Sequence, residues 1–292
     1  MLIIDSHIHH YPECIAANPS AWSKSAGEAY WASLVGPKSA QSFVSTEQLL
    51  ADMDTAKVAK AVLAGWYWER ADTCEMHNDF YAELILKYPD RFVAFASIQA
   101  LEGDKALDAF KKAIDQGFKG LGECFPALQG FSMQDPSWLK IVELAICKHM
   151  PILLHVTEPL GKAYLGKYRH DFAPYEWLAK TYPEATLIFA HWGGLMPAYE
   201  LNPSFAKTAK NIYYDTAASP LLYDMRIFKL MVELVGPKKI LYGSDYPLRL
   251  YPSQQTAPDF KSFLGAIQGL GLKKEDLNAI LGANIQSLLD RA

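Results

Sequence analysis

Histidines cluster at the start of the chain. His7, His9 and His10 follow the apolar run Leu2-Ile3-Ile4. A β-strand alternates its side chains, so His7 and His9 share one face and Ile8 takes the other. Two imidazoles on one face at a strand end can hold one metal ion; two unrelated histidines are the plainer reading. His10 falls on the opposite face, as packing or as support behind a site. Four more polar residues each close an apolar run: Glu123 after Phe118–Gly122, His155 after Pro151–Leu154, His191 after Leu187–Ala190, and Asp245 after Ile240–Ser244. Glu123 to His155 and His155 to His191 are each one strand–helix unit. His191 to Asp245 is two, passing a strand that ends near Asp215. Imidazoles with carboxylates form a donor set suited to Zn²⁺ first and also to Mn²⁺ or Fe²⁺, with room for one or two ions. No cysteine occupies a station, which argues against a structural zinc knot. Such a set can activate water near neutral pH. Asp245 can carry the proton, and His191 or the ion can stabilise an oxyanion. That is hydrolysis of an ester, lactone or amide. The same ion could instead orient a carboxylate for loss of CO₂.

Strand ends must be gathered before they can act together. Short apolar or β-branched runs predict strands at Leu2–Ser6, Ala59–Ala64, Phe92–Ile98, Gly117–Gly122, Pro151–Leu154, Thr186–Ala190, Asn211–Tyr214 and Lys239–Gly243. Helical periodicity predicts helices at Thr46–Ala56 (Thr46 as N-cap), Asp72–Tyr88, Asp104–Gln116, Pro136–His149, Tyr175–Tyr182, Leu221–Val235, Asp259–Leu270 and Lys274–Leu289. This α/β alternation points to parallel units and a (β/α)8 TIM barrel, with an open doubly wound sheet as the other solution. In a barrel, all five stations open on one mouth. No G-x-G-x-x-G follows the first strand and no G-x-S-x-G occurs, which weighs against a dinucleotide fold and a serine hydrolase. The connection Tyr11–Ser45 is long and carries Trp22, Tyr30, Trp31 and Phe43. A connection of that length is expected to be a packed lid or functional.

Composition fits this picture. The 292 residues are 50% hydrophobic and 21% charged, with a net charge of −4 and a pI near 6.1. Length alone would allow about two domains; the stations instead make residues 1–292 one barrel with a long first connection and C-terminal helices. Mild acidity excludes a broad basic field for nucleic acid. No apolar run reaches the roughly 18 residues of a membrane span, and MLIIDSHIHH does not read as a signal peptide. Cys14, Cys74, Cys124 and Cys147 show no C-x-x-C spacing. Reduced thiols in the cytoplasm are the simplest expectation.

Substrate selection is expected from the loops at the mouth. Gly65-Trp66-Tyr67-Trp68-Glu69-Arg70 follows the second strand, Glu158–His170 the fifth, and Tyr246, Arg249 and Tyr251 the eighth. Trp66 with Arg70 and Lys162, ahead of Arg249 and Lys167, suits a small, partly planar, anionic substrate. The alternative is that the rings pack the lid and the charges are solvated. His77 and His149 lie inside helical patterns and receive no role.

The segments IDSHIHH, ILLHVTEP, FAHWGG and LYGSDYP, with the closing LGANIQSLL, resemble the amidohydrolase superfamily in its amidohydrolase-related branch. The resemblance spans nearly the whole chain. It implies His7, His9 and His155 as metal ligands, and Asp245 as ligand and general acid/base. It also implies that His191 binds a second metal or polarises the substrate. Glu123 departs from the carboxylated lysine of many members; GLGECFP instead resembles the fourth-strand glutamate of TatD-like hydrolases, which contacts metal. A glutamate that salt-bridges within the mouth is the alternative. The branch contains hydrolases, lactonases and decarboxylases. The expectation is a metal-dependent hydrolase of a small substrate; the alternatives are a decarboxylase or hydratase, and a barrel that only binds. A homodimer is compatible with the resemblance.

Overall fold

The computed structural model describes residues 1–292 apart from Pro37, Lys38, Lys162, Leu165 and His170. Its strands are β1 (Ile4–Ile8), β2 (Lys60–Leu63), β3 (Phe92–Ala96), β4 (Gly120–Cys124), β5 (Ile152–Leu154), β6 (Leu187–Phe189), β7 (Ile212–Asp215) and β8 (Ile240–Leu241). Each pairs in parallel with its sequence neighbour, in the order β1 to β8. The ends of the sheet meet through Ser6 N donating to Tyr242 O at 2.7 Å, Asp245 N to His7 O at 2.9 Å and His9 N to Tyr246 O at 2.7 Å. The chain is a single (β/α)8 TIM barrel.

Alternation splits the apolar residues into two layers. Val62 and Ala64 face the barrel interior with Ile4, Phe95, Leu153, Ile188 and Leu241. Ala61 and Leu63 face the helices. Ile285, Leu288 and Leu289, from the helix Asn284–Leu289, join the interior group. Burial of this size is the main stabilising term.

Two strands break the alternation, and both carry site residues. Along β1–β2 the pairing runs Asp5 to Ala61 and then Ile8 to Leu63, so β1 holds one extra residue. Along β4–β5 it runs Leu121 to Ile152 and then Cys124 to Leu154. A β-bulge of this kind turns the following side chains to the other face. Ile4 points into the barrel, yet Ile8 packs outward, which puts His7 and His9 inside. Leu121 and Cys124 both pack outward, leaving Glu123 to face in. Gly122 lies at the second bulge with φ +102°, and a Cβ there would run into the Leu153 carbonyl. Only glycine meets both conditions.

Several boundaries differ from expectation. β1 and β4 end two residues later than the pattern predicts, because the bulges interrupt the alternation from which the ends were read. The cap of helix Thr46–Ala56 is Ser45, whose hydroxyl accepts from Gln48 N at 3.2 Å. Thr46 Oγ1 instead pairs with His10 Nε2 at 2.9 Å. The expected helix Leu221–Val235 is two, Ser219–Leu222 and Ile227–Val235. The packed lid expected of the connection after β1 carries helices that the sequence pattern does not show, Glu13–Ala16, Pro19–Ala26 and Ala29–Leu34. Its rings interlock with the segment after β2: Trp31 lies 4.9 Å from Trp66, and Trp22 lies 5.3 Å from Trp68. The four cysteines are free. No described helix is long and apolar enough to cross a membrane.

Candidate active site

The stations converge at the mouth in two adjoining groups, His7, His9 and Asp245, and Glu123, His155 and His191, all buried. Within each group the donor atoms lie within 4.8 Å of one another. Glu123 links the groups. Its Oε2 is 3.6 Å from His7 Nε2 and 3.5 Å from His9 Nε2, and its Oε1 is 2.8 Å from His155 Nδ1 and 3.6 Å from His191 Nε2. Asp245 lies 3.6 Å from His9 Nε2 and 3.9 Å from His191 Nδ1.

The hydrogen bonds behind the rings decide which nitrogens face inward. His7 Nδ1 donates to Asp215 Oδ2 at 2.8 Å, and His9 Nδ1 donates to the Ala64 carbonyl at 3.1 Å. Their Nε2 atoms then meet at 3.1 Å. Two neutral rings held this way confront each other lone pair to lone pair, so a proton or a metal cation must lie between them. His191 Nδ1 likewise donates to the Ala217 carbonyl at 3.1 Å and turns Nε2 towards Glu123. The donor set therefore fits a divalent cation. His155 differs: Nδ1 is engaged by Glu123, and Nε2 lies 3.3 Å from the Gly166 carbonyl.

Electrostatics follow from this packing. Burial opposes charge on His7, but Asp215 and Glu123 outweigh it and hold the ring well above its ordinary pKa. Burial would raise Glu123, yet His155 and His7 keep its carboxyl well below the usual range. His191 is pushed up to about 9: burial acts against the charge, and the bond to Glu123 with the charge of Asp245 exceeds it. Protons and a cation thus compete for the same nitrogens.

Backbone strain marks two stations. His191 opens a left-handed stretch that continues through Trp192, Gly193, Gly194 and Leu195. A Cβ at Gly194 would stand 2.6 Å from the Thr157 carbonyl oxygen, so the turn seats itself against the end of β5 only with glycine there. Left-handed residues other than glycine cost about 1–2 kcal/mol each. Here the His191 N–H bond to Asp215 Oδ1 at 2.9 Å and the Trp192 Nε1 bond to Ser219 Oγ at 2.8 Å help hold the turn. Asp245, at φ 66°, is the other strained station.

A cavity of about 520 Å³ opens above these groups. Trp66 and Tyr67 form part of its wall, and Trp66 meets His9 edge-on at 4.9 Å. Arg70 is placed elsewhere. It precedes the helix Ala71–Lys87, its backbone N–H is held by Glu28 at 3.2 Å, and its exposed guanidinium pairs with Asp72 at 2.9 Å. Arg249 also lies off the wall; it donates to the Ser39 carbonyl at 2.7 Å and so pins a lid segment that does line the cavity. Lys162 lies outside the described residues. Asp215 is the residue that sequence reasoning passed over. Its signal was available, since it closes β7 in phase with the other stations.

A family model described as amidohydrolase matches residues 4–291. A curated 2-amino-3-carboxymuconate-6-semialdehyde decarboxylase from Dictyostelium discoideum is 22% identical over 236 residues, which is 68% of this chain and 64% of that relative, so the match spans less than two thirds of the relative's length. The solved 5-carboxyvanillate decarboxylase of Sphingomonas paucimobilis superposes with a TM-score of 0.73 at 14% identity, over 99% of each chain. A dihydroxybenzoic acid decarboxylase from Polaromonas sp. JS666, solved with manganese and the inhibitor 2-nitroresorcinol, gives 0.71 at 17% identity, over 99% of this chain and 97% of that one. At these identities the two structures speak for the barrel. With the stations in order along the barrel and the family model matching almost from end to end, the chain belongs to the amidohydrolase family.

Proposed function

We propose that the protein is a metal-dependent decarboxylase acting on a small carboxylate borne by an unsaturated or aromatic carbon. The observation that carries this reading is a flat aromatic wall beside the donor set: Trp66 and Tyr67 stack with centroids 4.2 Å apart and planes 28° from parallel. Such a wall favours a planar substrate. The decarboxylase names of the relatives support the same choice over the hydrolysis expected first.

His7, His9 and Asp245, with Glu123 and His191 beside them, would hold the divalent ion, which supplies fixed positive charge to draw in and orient a carboxylate. Manganese is supported by the Polaromonas neighbour; zinc remains the expectation from the donors alone. Asp215 orients His7, and the Ala64 and Ala217 carbonyls orient His9 and His191. Asp245 delivers a proton to the carbon that bears the carboxylate. The C–C bond then breaks, its electron pair returns to that carbon skeleton, and CO₂ leaves. Asp245 is left as carboxylate and is reprotonated from solvent. His191, whose Nδ1 lies 3.9 Å from Asp245, borders that carboxylate.

Hydrolysis of a C–O or C–N bond is the second reading. Glu123 favours it, because an extra acidic donor beside His155 and His191 could anchor a second ion. Product analysis in D₂O separates the two. Manganese- or zinc-loaded protein, given hydroxybenzoates and unsaturated carboxylic acids, should release CO₂ and place one deuterium on the carbon that lost it. Solvent oxygen in a cleaved lactone or amide, with no CO₂, would establish the second reading instead.

A further inference from the structure

A second polar cluster borders the cavity, and the reaction above leaves it unused. Glu158 follows β5, three residues beyond His155, and its side chain is 14% exposed. Its Oε2 accepts from the Tyr164 hydroxyl at 3.1 Å and the Tyr223 hydroxyl at 3.5 Å, and its Oε1 lies 3.3 Å from Lys167 Nζ. Lys167 also donates to the Leu160 carbonyl at 2.5 Å and sits 5.6 Å from the centre of the Tyr164 ring. Tyr223 reaches the His191 carbonyl at 3.4 Å, tying this cluster to the strained turn. Glu158 and Tyr164 line the same cavity as Glu123, His191 and Asp245.

What this cluster offers a ligand is acceptors. Burial and the charge of Glu158 hold both tyrosines above the usual phenol range. They stay protonated; Tyr164 spends its one hydrogen on Glu158, and the Tyr223 hydrogen lies between Glu158 and the His191 carbonyl. The phenolic lone pairs and the remaining carboxylate lone pairs are left to accept. Among the described residues lining the cavity, none is Lys or Arg. A substrate arm that donates, such as a hydroxyl or amine, gains a charge-assisted hydrogen bond. A second carboxylate in the same place meets like charge and must displace tyrosine donors. We infer that Glu158, seated by Tyr164, Tyr223 and Lys167, sets specificity in the cavity beside the ligand set, favouring a monocarboxylate with a hydroxyl or amino group over a dicarboxylate. This rests on reading the cavity as a site for a planar carboxylate and adds the substituent it selects.

The test reads binding, not turnover. Manganese-loaded protein is titrated calorimetrically with 3-hydroxybenzoate and with isophthalate, which differ only in hydroxyl against second carboxylate. The wild type should prefer 3-hydroxybenzoate by at least about tenfold, the scale of one hydrogen bond to a charged group. Glu158→Gln, which offers donor and acceptor without charge, should bring the two within about threefold. Glu158→Asp, which withdraws the carboxylate but keeps its charge, should give an intermediate ratio and carries the test should the glutamine variant fail to fold. Equal or tighter binding of isophthalate to the wild type overturns the inference, as does an unchanged ratio in the variants. Hydroxybenzoate preference without CO₂ release removes the decarboxylase reading and leaves this one standing; CO₂ release without the preference does the reverse.

Discussion

Glu28 and Glu69 each accept a backbone N–H from the other's segment across the rim of the barrel. Glu28 Oε2 accepts from Glu69 N at 2.8 Å, and Glu69 Oε2 accepts from Tyr30 N at 2.7 Å. Glu28 Oε1 also takes the Arg70 N–H at 3.2 Å. The lid is thereby latched to the segment that carries Trp66 and Tyr67. Glu28→Ala leaves two N–H groups without this acceptor, at about 1–3 kcal/mol for each that stays buried and unpaired. The urea midpoint should fall, and Glu28→Gln, with one acceptor oxygen left, should fall less. Equal midpoints for the wild type and the alanine variant would remove the latch from the account.

Asp215 joins two stations, since one oxygen holds the His7 ring and the other accepts from the His191 and Ala217 backbone N–H groups. Asp215→Asn keeps the size but weakens the grip on His7 Nδ1–H. Support of this kind behind a ligating histidine is worth about 10–100-fold in metal affinity. Chelator competition should show a loss in that range, with the far-UV spectrum retained. Unchanged affinity would reduce Asp215 to a packing residue.

Asp245→Asn tests proton delivery. General acid catalysis contributes about 10²–10⁴-fold, so CO₂ release should fall by at least that lower factor while the thermal midpoint stays near that of the wild type. The asparagine variant should also hold metal more weakly, so rates are compared at saturating metal. A near-normal kcat under those conditions assigns the proton to another group.

Much of this site was legible because its residues obey the strand–helix period. His155, His191 and Asp245 close apolar runs, and the barrel brings such ends together whatever the loops do. That His7 and His9 share a face opposite Ile8 was legible, but the bulges were not: each inserts one residue without any change in composition, so only pairing shows that Ile4 points in and Ile8 points out, and that Glu123 faces in beside the histidines. Arg70 and Arg249 stand off the cavity wall for a related reason. Arg70 lies close to Trp66 in sequence, but its backbone is fixed by Glu28 and its side chain by Asp72. Glu158 was visible in ILLHVTEP, yet its role depends on Tyr223, which comes from beyond β7. The lid's short helices were missed because aromatic spacing over so few residues carries no clear period.

His77 should govern acid stability. Its Nδ1 accepts from Trp68 Nε1 at 2.9 Å, and its Nε2 donates to the His10 carbonyl at 2.8 Å, which fixes one neutral tautomer. Burial lowers its pKa to about 3, against an ordinary value of 6.5. Between those values the unfolded chain binds a proton that the folded chain refuses. Stability is therefore complete above the ordinary value and declines as pH falls towards the folded one, at a limiting slope of about 1.4 kcal/mol per pH unit. His10, lowered by burial to about 4, adds to the decline, whereas Asp5, raised by burial to about 7, works the other way. The informative quantity is thus the difference between wild type and His77→Gln, which keeps a donor and an acceptor but does not titrate. The variant should be less stable at pH 7 because its geometry is poorer, and that deficit should shrink by about 2 kcal/mol by pH 5. Urea unfolding at the two pH values measures it. Parallel losses in both proteins would mean that the acid lability comes from other groups.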